Sequence, residues 1–341
     1  MTEVARATAM RYRKLGWSDI DVSVIGLGAI SFGDPDRVSD PKASARIVSE
    51  CLDRGINFFD TANAYGHGAS EEHLGNALAG RRDEAIIATK FKLSDPGEGD
   101  HREGETVRER IMKSIDGSLQ RLRTDHVDLY QLHHPEPDVP HEEILEPLAD
   151  LVRAGKVRYI GECNYSAWRH AQSDAVSERR GWPKMVSAQG FYNVLRRHVE
   201  LEVLPFCTAN DVAYIPYRPL AAGFLTGKYR TGVSAPKSRK KIAKLQQDER
   251  AKRVLDGLAA FASERGHTLA ELAFAWLLAH PAVRSVIAGA TDVAQAAANA
   301  QAAQWELTLA ERDAVDAIAA WDGTDEEVEE PGRHTILRPR R

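Results

Sequence analysis

Short β-rich apolar runs alternate with longer segments of helical period from one end of the chain to the other. No other feature restricts the fold as strongly. Eight runs are visible: Ser23–Gly28, Ile56–Asp60, Ala85–Lys90, Val127–His133, Val157–Gly161, Met185–Gln189, Val212–Tyr217 and Ser285–Gly289. Each precedes a segment able to form a helix, and such alternation favours an all-parallel sheet. Residues placed at strand ends, namely Ser31, Asp60, Lys90, His133, Cys163, Gln189, Tyr217 and Gly289, mostly stand 26 to 30 apart, close to one βα unit. Two intervals are longer, 43 from Lys90 to His133 and 72 from Tyr217 to Gly289. The first contains an evident loop over 95–101, the second a basic stretch. Eight units without a composition break predict one (β/α)₈ TIM barrel with long βα loops, a single domain over 1–341 with its core at about 12–320. The segment from Tyr12 to Asp19 is expected to form a hairpin plugging the bottom of that barrel.

Composition narrows the function. With 43% apolar and 28% charged residues the balance is that of a globular protein, and no apolar run approaches the ~20 residues that span a bilayer. A formal net charge of −5 argues against nucleic acid or anionic membrane as partner, since both select a basic excess. Met1–Lys14 lacks an apolar stretch of signal-peptide length and reads as a short tail. Cys51, Cys163 and Cys207 are sparse, odd in number and without CxxC spacing, which predicts a reducing, cytoplasmic setting and no zinc.

In barrels of this type the chemistry sits at the C-terminal ends of the strands. Asp60, Lys90 and His133 each end a predicted strand there, and Tyr65 follows Asp60 by five residues. Together they suit carbonyl reduction. Hydride arriving at a carbonyl carbon builds negative charge on oxygen, which must be stabilised and protonated. A free tyrosine, with a pKa of ~10, holds its proton too tightly, and a nearby ammonium lowers that value. Lys90 would supply the ammonium, Asp60 would hold it charged, and His133 would hydrogen-bond the carbonyl oxygen. Singly, each has a structural reading: a helix cap, a loop anchor, a solvated strand end, a core histidine. Jointly, four complementary groups on one rim favour catalysis. A metal site at His133 and His134 is rejected, because adjacent strand residues point to opposite faces and no third ligand completes it.

The stretch FFDTANAYGHGASEEHLG at 58–75 resembles the first signature of the aldo-keto reductase family. Ala88–Lys90, Asp128–His133, Ile160–Asn164 and Pro216–Tyr229 resemble its later motifs in order, so the likeness runs from about Tyr12 to Asn299. It implies a tetrad of Asp60, Tyr65, Lys90 and His133. It also implies a nicotinamide cofactor, NADPH with NADH as the alternative, bound before a small carbonyl substrate. By the same resemblance Asn164 and Gln189 hold the carboxamide, Tyr217 is the platform for the ring, and Gly28, Ala29 and Ile30 lie beside it. Arg218, Pro219, Leu220, Gly223 and Lys228 fall in the loop along the pyrophosphate. Gly289, Thr291, Gln295 and Asn299 match the adenosine end, where a helix beginning near Thr291 can attract phosphate.

Three departures stand out. Cys163 replaces a serine and offers a weaker donor beside the carboxamide. Arg218 also stands where serine is usual, and Thr291 stands where many relatives carry a basic residue. NADPH is therefore expected to be preferred only modestly, helped by the helix, by neutral donors of Gln295, and by Lys237 or Arg239. From Lys228 to Arg253 there are ten Lys/Arg against two Asp/Glu. That stretch is either a solvated loop or, favoured, a flap drawn to the cofactor's phosphates. The segment 322–341 is either a frayed terminus or a cover over the barrel mouth. Candidate pocket residues are Phe32, Phe91, His134 and Phe191, with the alternative that the aromatics are core.

Two other functions compete. A Rossmann dehydrogenase would use Gly26, Gly28 and Gly33, but the third glycine is misplaced for GxGxxG. A cofactor-binding regulatory subunit on the same barrel, as in potassium-channel β subunits, is compatible with an intact tetrad.

Overall fold

The computed structural model describes residues 9–93, 104–230 and 240–321. The loop at 95–101, Lys237, Arg239 and the 322–341 segment lie outside those residues. A short antiparallel hairpin comes first, β1 (Tyr12–Lys14) and β2 (Asp21–Ser23), with Tyr12 opposite Ser23. Eight parallel strands then close on themselves: β3 (Ile25–Gly28), β4 (Phe58–Asp60), β5 (Ile86–Phe91), β6 (Val127–Leu132), β7 (Val157–Cys163), β8 (Met185–Phe191), β9 (Ala213–Tyr217) and β10 (Val286–Gly289). Strand β10 pairs with both β9 and β3, which completes the barrel. The predicted (β/α)₈ architecture is what the chain adopts.

Helices follow the strands: α1 (Pro41–Asp53), α2 (Ala69–Ala77), α3 (Val107–Leu122), α4 (His141–Arg153), α5 (Ala167–Arg180) and α6 (Val203–Ala209). The 72-residue interval holds α7 (Lys240–Gln247), α8 (Glu249–Ser263) and α9 (Leu269–Leu278), and α10 (Val293–Ala302) and α11 (Leu309–Ile318) end the described chain. Their starts are written locally. Thr106, Thr268 and Thr308 each accept from the N–H three residues on, while Glu109, Glu271 and Glu311 bond back, forming reciprocal caps. Helix α1 buries Ile47, Val48, Cys51 and Leu52 on one face, the 3.6-residue stripe that docks on the barrel. Part of the basic stretch is helical: α7 and the start of α8 lie in it, Asp248 caps α8 and Ala251 is buried, while residues 231–239 lie outside the described ones. Among the described residues no helix is long and apolar enough to cross a membrane.

The hairpin does plug the barrel. Leu15, Ile20 and Val22 are buried against Phe58, Ala88, Leu129, Val186, Ala213, Ile215 and Ile287, an inner core distinct from the layer under the helices. Gly16, at φ 56°, lets the turn press onto the strand starts: a methyl there would lie 2.6 Å from the Val186 carbonyl and 2.7 Å from that of Asp211. Sealing the bottom leaves the C-terminal mouth as the open end.

Candidate active site

Asp60 ends β4 two residues beyond Phe58, so strand alternation sets its carboxylate just above the plug. Lys90, fully buried on β5, donates from Nζ to Asp60 Oδ2 at 2.6 Å and to the Thr61 carbonyl at 3.0 Å. Its Nζ lies 3.5 Å from Tyr65 Oη. Tyr65 opens the turn Tyr65–Gly68, whose next three residues all have positive φ, which Gly66 and Gly68 tolerate at no steric cost. His133 donates its backbone N–H to the Phe91 carbonyl at 2.8 Å and meets the Tyr65 ring edge-on, centres 5.6 Å apart. The four predicted residues therefore converge.

Their electrostatics differ from expectation in one respect. Burial raises the Tyr65 phenol above its ordinary value, and Lys90 only partly opposes this. The expected net lowering is thus corrected: desolvation of a phenolate outweighs the ammonium beside it. Burial draws Lys90 down as well, but Asp60 and then Tyr65 more than reverse that and keep it charged. His133 is held well below the usual imidazole range, first by burial and then by Lys90, His134 and Lys92, so the ring is neutral near pH 7.

A fifth residue joins this cluster from across the barrel. Gln189 Nε2 donates to Asp60 Oδ1 at 2.9 Å. The register shift between β7 and β8, where Ile160 pairs with Met185 but Gly161 with Ser187, makes Val186 an extra residue and turns Gln189 inward. Cys163 Sγ, buried, donates to Gln189 Oε1 at 3.5 Å. The Gln189–Asp60 bond is not legible in the sequence, because it joins residues 129 apart.

Asn164, at φ 63°, donates from Nδ2 to the His133 carbonyl at 3.2 Å and accepts from Tyr217 Oη at 2.9 Å. Tyr217 ends β9 and stacks one face on Phe191, centres 5.7 Å apart. Beyond it Arg218, Ala221, Ala222 and Gly223 all have positive φ, a concentration of strained backbone. Pro219 is buried, Leu220 half-buried, and Lys228 exposed with its ammonium 5.1 Å from the Tyr229 ring centre. On the opposite flank Gly28 pairs with Asp60 and Gly289, leaving a rim without side chains, and a methyl on Gly28 would meet Ile287 at 2.7 Å. Ala29 is buried and donates to the Asp60 carbonyl at 2.8 Å, while Ile30 is 49% exposed. Ser70 Oγ fixes this rim by donating to the Ala29 carbonyl at 2.8 Å.

Strand ends shift slightly from the sequence reading. Strand β3 stops at Gly28, short of Ser31; Phe91 rather than Lys90 ends β5; His133 lies one past β6; and Gln189 lies two before the end of β8. Because His133 and His134 follow the strand, their rings stack, centres 4.6 Å apart, rather than facing opposite ways. The stated reason against a metal is corrected, although among the described residues no group of three or more His, Cys, Asp or Glu is poised to hold one. Phe32 and Phe91 are fully buried core, Phe91 stacked on Tyr130, whereas His134 and Phe191 remain half-exposed at the mouth.

The start of α10 carries an internal cap. Asp292 caps it, Oδ1 accepting the Gln295 N–H at 2.8 Å. Both donors of Gln295 Nε2 are engaged, by Thr291 Oγ1 at 2.9 Å and Asp292 Oδ2 at 2.6 Å. Asn299, buried, holds the Gly289 carbonyl at 3.2 Å. A carboxylate therefore stands at the helix end expected to attract phosphate.

Comparison with known proteins agrees with this architecture. Residues 24–320 match the Aldo/keto reductase family. The chain is 35% identical over 84% of its length to the uncharacterized oxidoreductase YrpG of Bacillus subtilis, covering 89% of that protein. It is 31% identical to versiconal hemiacetal acetate reductase of Aspergillus parasiticus, over 82% of this chain and 88% of the relative. A probable voltage-gated potassium channel subunit beta of Arabidopsis thaliana is 35% identical, over 86% and 91%. The chain belongs to the aldo/keto reductase family.

Proposed function

We propose that the protein reduces the carbonyl of a small aldehyde or ketone to an alcohol, with Tyr65 Oη as proton donor. The observation that carries this is the buried Asp60–Lys90 pair running out to the half-buried Tyr65, with Nζ 2.6 Å from a carboxylate oxygen and 3.5 Å from the phenol. A raised phenol pKa keeps the proton on Tyr65 until it is needed. Lys90 then stabilises the phenolate left behind, and Asp60, braced by Gln189, keeps Lys90 charged and still. Neutral His133 donates to the carbonyl oxygen without competing as an acid.

A reduced nicotinamide cofactor, when bound, supplies the hydride. The residues present fit one: the side-chain-free rim at Gly28 and Gly289 leaves room, the strained 218–223 backbone is the kind held in place for a ligand, and Tyr217 keeps one ring face away from Phe191. Asn164 and Tyr217 would border the nicotinamide, Leu220, Gly223 and Lys228 the pyrophosphate, and Thr291, Gln295 and Asn299 the adenosine. With Asp292 at α10, we expect NADPH to be favoured over NADH only weakly.

The test is loss of NADPH absorbance across a panel of aldehydes and ketones. Tyr65→Phe should lower kcat by a factor on the order of 10² or more while still binding cofactor. Near-normal turnover by that variant rejects the assignment. Because potassium channel β subunits share 35% identity, a second reading is a cofactor-binding regulatory subunit. Very slow turnover by the wild type together with copurification of a membrane protein would select it.

A further inference from the structure

Phe191 carries two guanidinium groups. Arg218 Cζ lies 5.6 Å and Arg196 Cζ 5.7 Å from the centre of its ring. One buried residue sets both. Asn193 exchanges backbone hydrogen bonds with Arg196 at 3.2 and 2.8 Å, and its Nδ2 donates to the Arg218 carbonyl at 3.0 Å. Arg218 is held at φ 56°, a left-handed backbone that is strained for a non-glycine residue. Among the described residues no carboxylate lies within ion-pair distance of Arg218, whereas the neighbouring Arg197 is neutralised by Glu200 and Asp316.

The placement is at the mouth. Gln189, which touches Asp60, and Phe191 are two apart on β8, so they share its inner face and Phe191 stands ~7 Å further out. The Arg218 side chain reaches back over the β8 side of β9, while Gly289 and the start of α10 lie on the other side, since β9 pairs with β8 and with β10. A guanidinium held within cation–π reach of an aromatic ring presents a preset fork to an oxyanion.

We propose that Arg218, supported by Arg196, recognises a carboxylate or similar oxyanion on the carbonyl substrate, so that the protein is selective for anionic aldehydes or ketones. This rests on the carbonyl-reduction reading. The test uses the isosteres 4-formylbenzoate and 4-formylbenzamide, which differ in charge. Wild-type kcat/KM should favour the benzoate by about tenfold or more, the scale of a charge-assisted hydrogen bond. Arg218→Gln should bring that ratio to within about threefold of unity, Arg218→Lys should retain part of it, and 0.5 M salt should erode it in the wild type.

Binding of the two compounds is measured by calorimetry in a Tyr65→Phe background, with and without Arg218→Gln, alongside NADPH affinity. A wild-type ratio near one overturns the proposal. So does an unchanged ratio in Arg218→Gln with weakened NADPH binding, which assigns the guanidinium to the cofactor's phosphates. If the benzoate binds selectively through Arg218 but neither it nor any aldehyde or ketone of the wider panel is turned over, the oxyanion site stands and the carbonyl-reduction reading falls.

Discussion

Replacing Asp60 with asparagine removes the counter-charge of a fully buried ammonium while preserving shape. At 2.6 Å the pair's attraction is about 6 kcal/mol at an effective dielectric of ~20. The amide oxygen still accepts one hydrogen bond and recovers part of this, which leaves a loss of about 3–5 kcal/mol, the usual cost of breaking a buried pair. Gln189 also loses a charged acceptor at Oδ1. In the wild type the Lys90 pKa is raised, so its stability share is present below the ordinary value near 10.4 and disappears only as pH climbs through the higher folded value. In Asp60→Asn burial meets little opposition and Lys90 falls below its ordinary value. Its stability deficit should then grow as pH drops from ~10.4 toward that lowered value, because a buried, uncompensated ammonium must form. Activity should move the other way, very low at pH 9 and partly recovered at pH 6 as Lys90 regains its proton. Urea unfolding followed by tryptophan fluorescence and a kcat/KM profile over pH 6–9 read both trends. A stability loss below about 1 kcal/mol, with kcat at pH 7 within threefold of wild type, refutes the account of Asp60 as the group that keeps Lys90 charged.

Cys163→Ser should be tolerated, with cofactor affinity within about threefold of wild type by fluorescence titration, because a hydroxyl is the better donor to Gln189 Oε1. A tenfold loss would mean the thiol's packing matters more than its bond. Thr291→Arg should tighten NADPH about tenfold at low salt and little at 0.5 M, with NADH unaffected; equal gains for both cofactors would place the adenosine phosphate elsewhere. Gly16→Ala should lower the urea midpoint by an amount equivalent to about 3 kcal/mol or more, since its methyl meets three backbone atoms within 2.9 Å at a left-handed φ. A midpoint matching wild type would show that the plug is not seated as described.

The local pattern alone decided the barrel, since eight apolar runs spaced by helical segments leave few other ways to bury both faces of every strand. It also picked out the four candidate residues: Asp60, Lys90 and His133 fall at or beside strand ends and Tyr65 in a short loop, all local quantities. What sequence could not carry depends on separations that only closure creates. The Asp60–Gln189 bond needs β4 and β8 to face each other across the mouth, and the extra residue at Val186 that aims Gln189 inward has no local signature. The direction of the Tyr65 pKa followed from how much water the assembled mouth excludes, a property of the packed fold and not of its neighbours in the chain. Asp292 was visible in the sequence, yet its closure of the α10 terminus is a matter of side-chain geometry. Phe32, Phe91 and Phe191 are the same residue type near strand ends. Only the closed barrel decides that Phe32, in the turn after β3, and Phe91, at the end of β5, pack into the core while Phe191, at the end of β8, stays at the mouth.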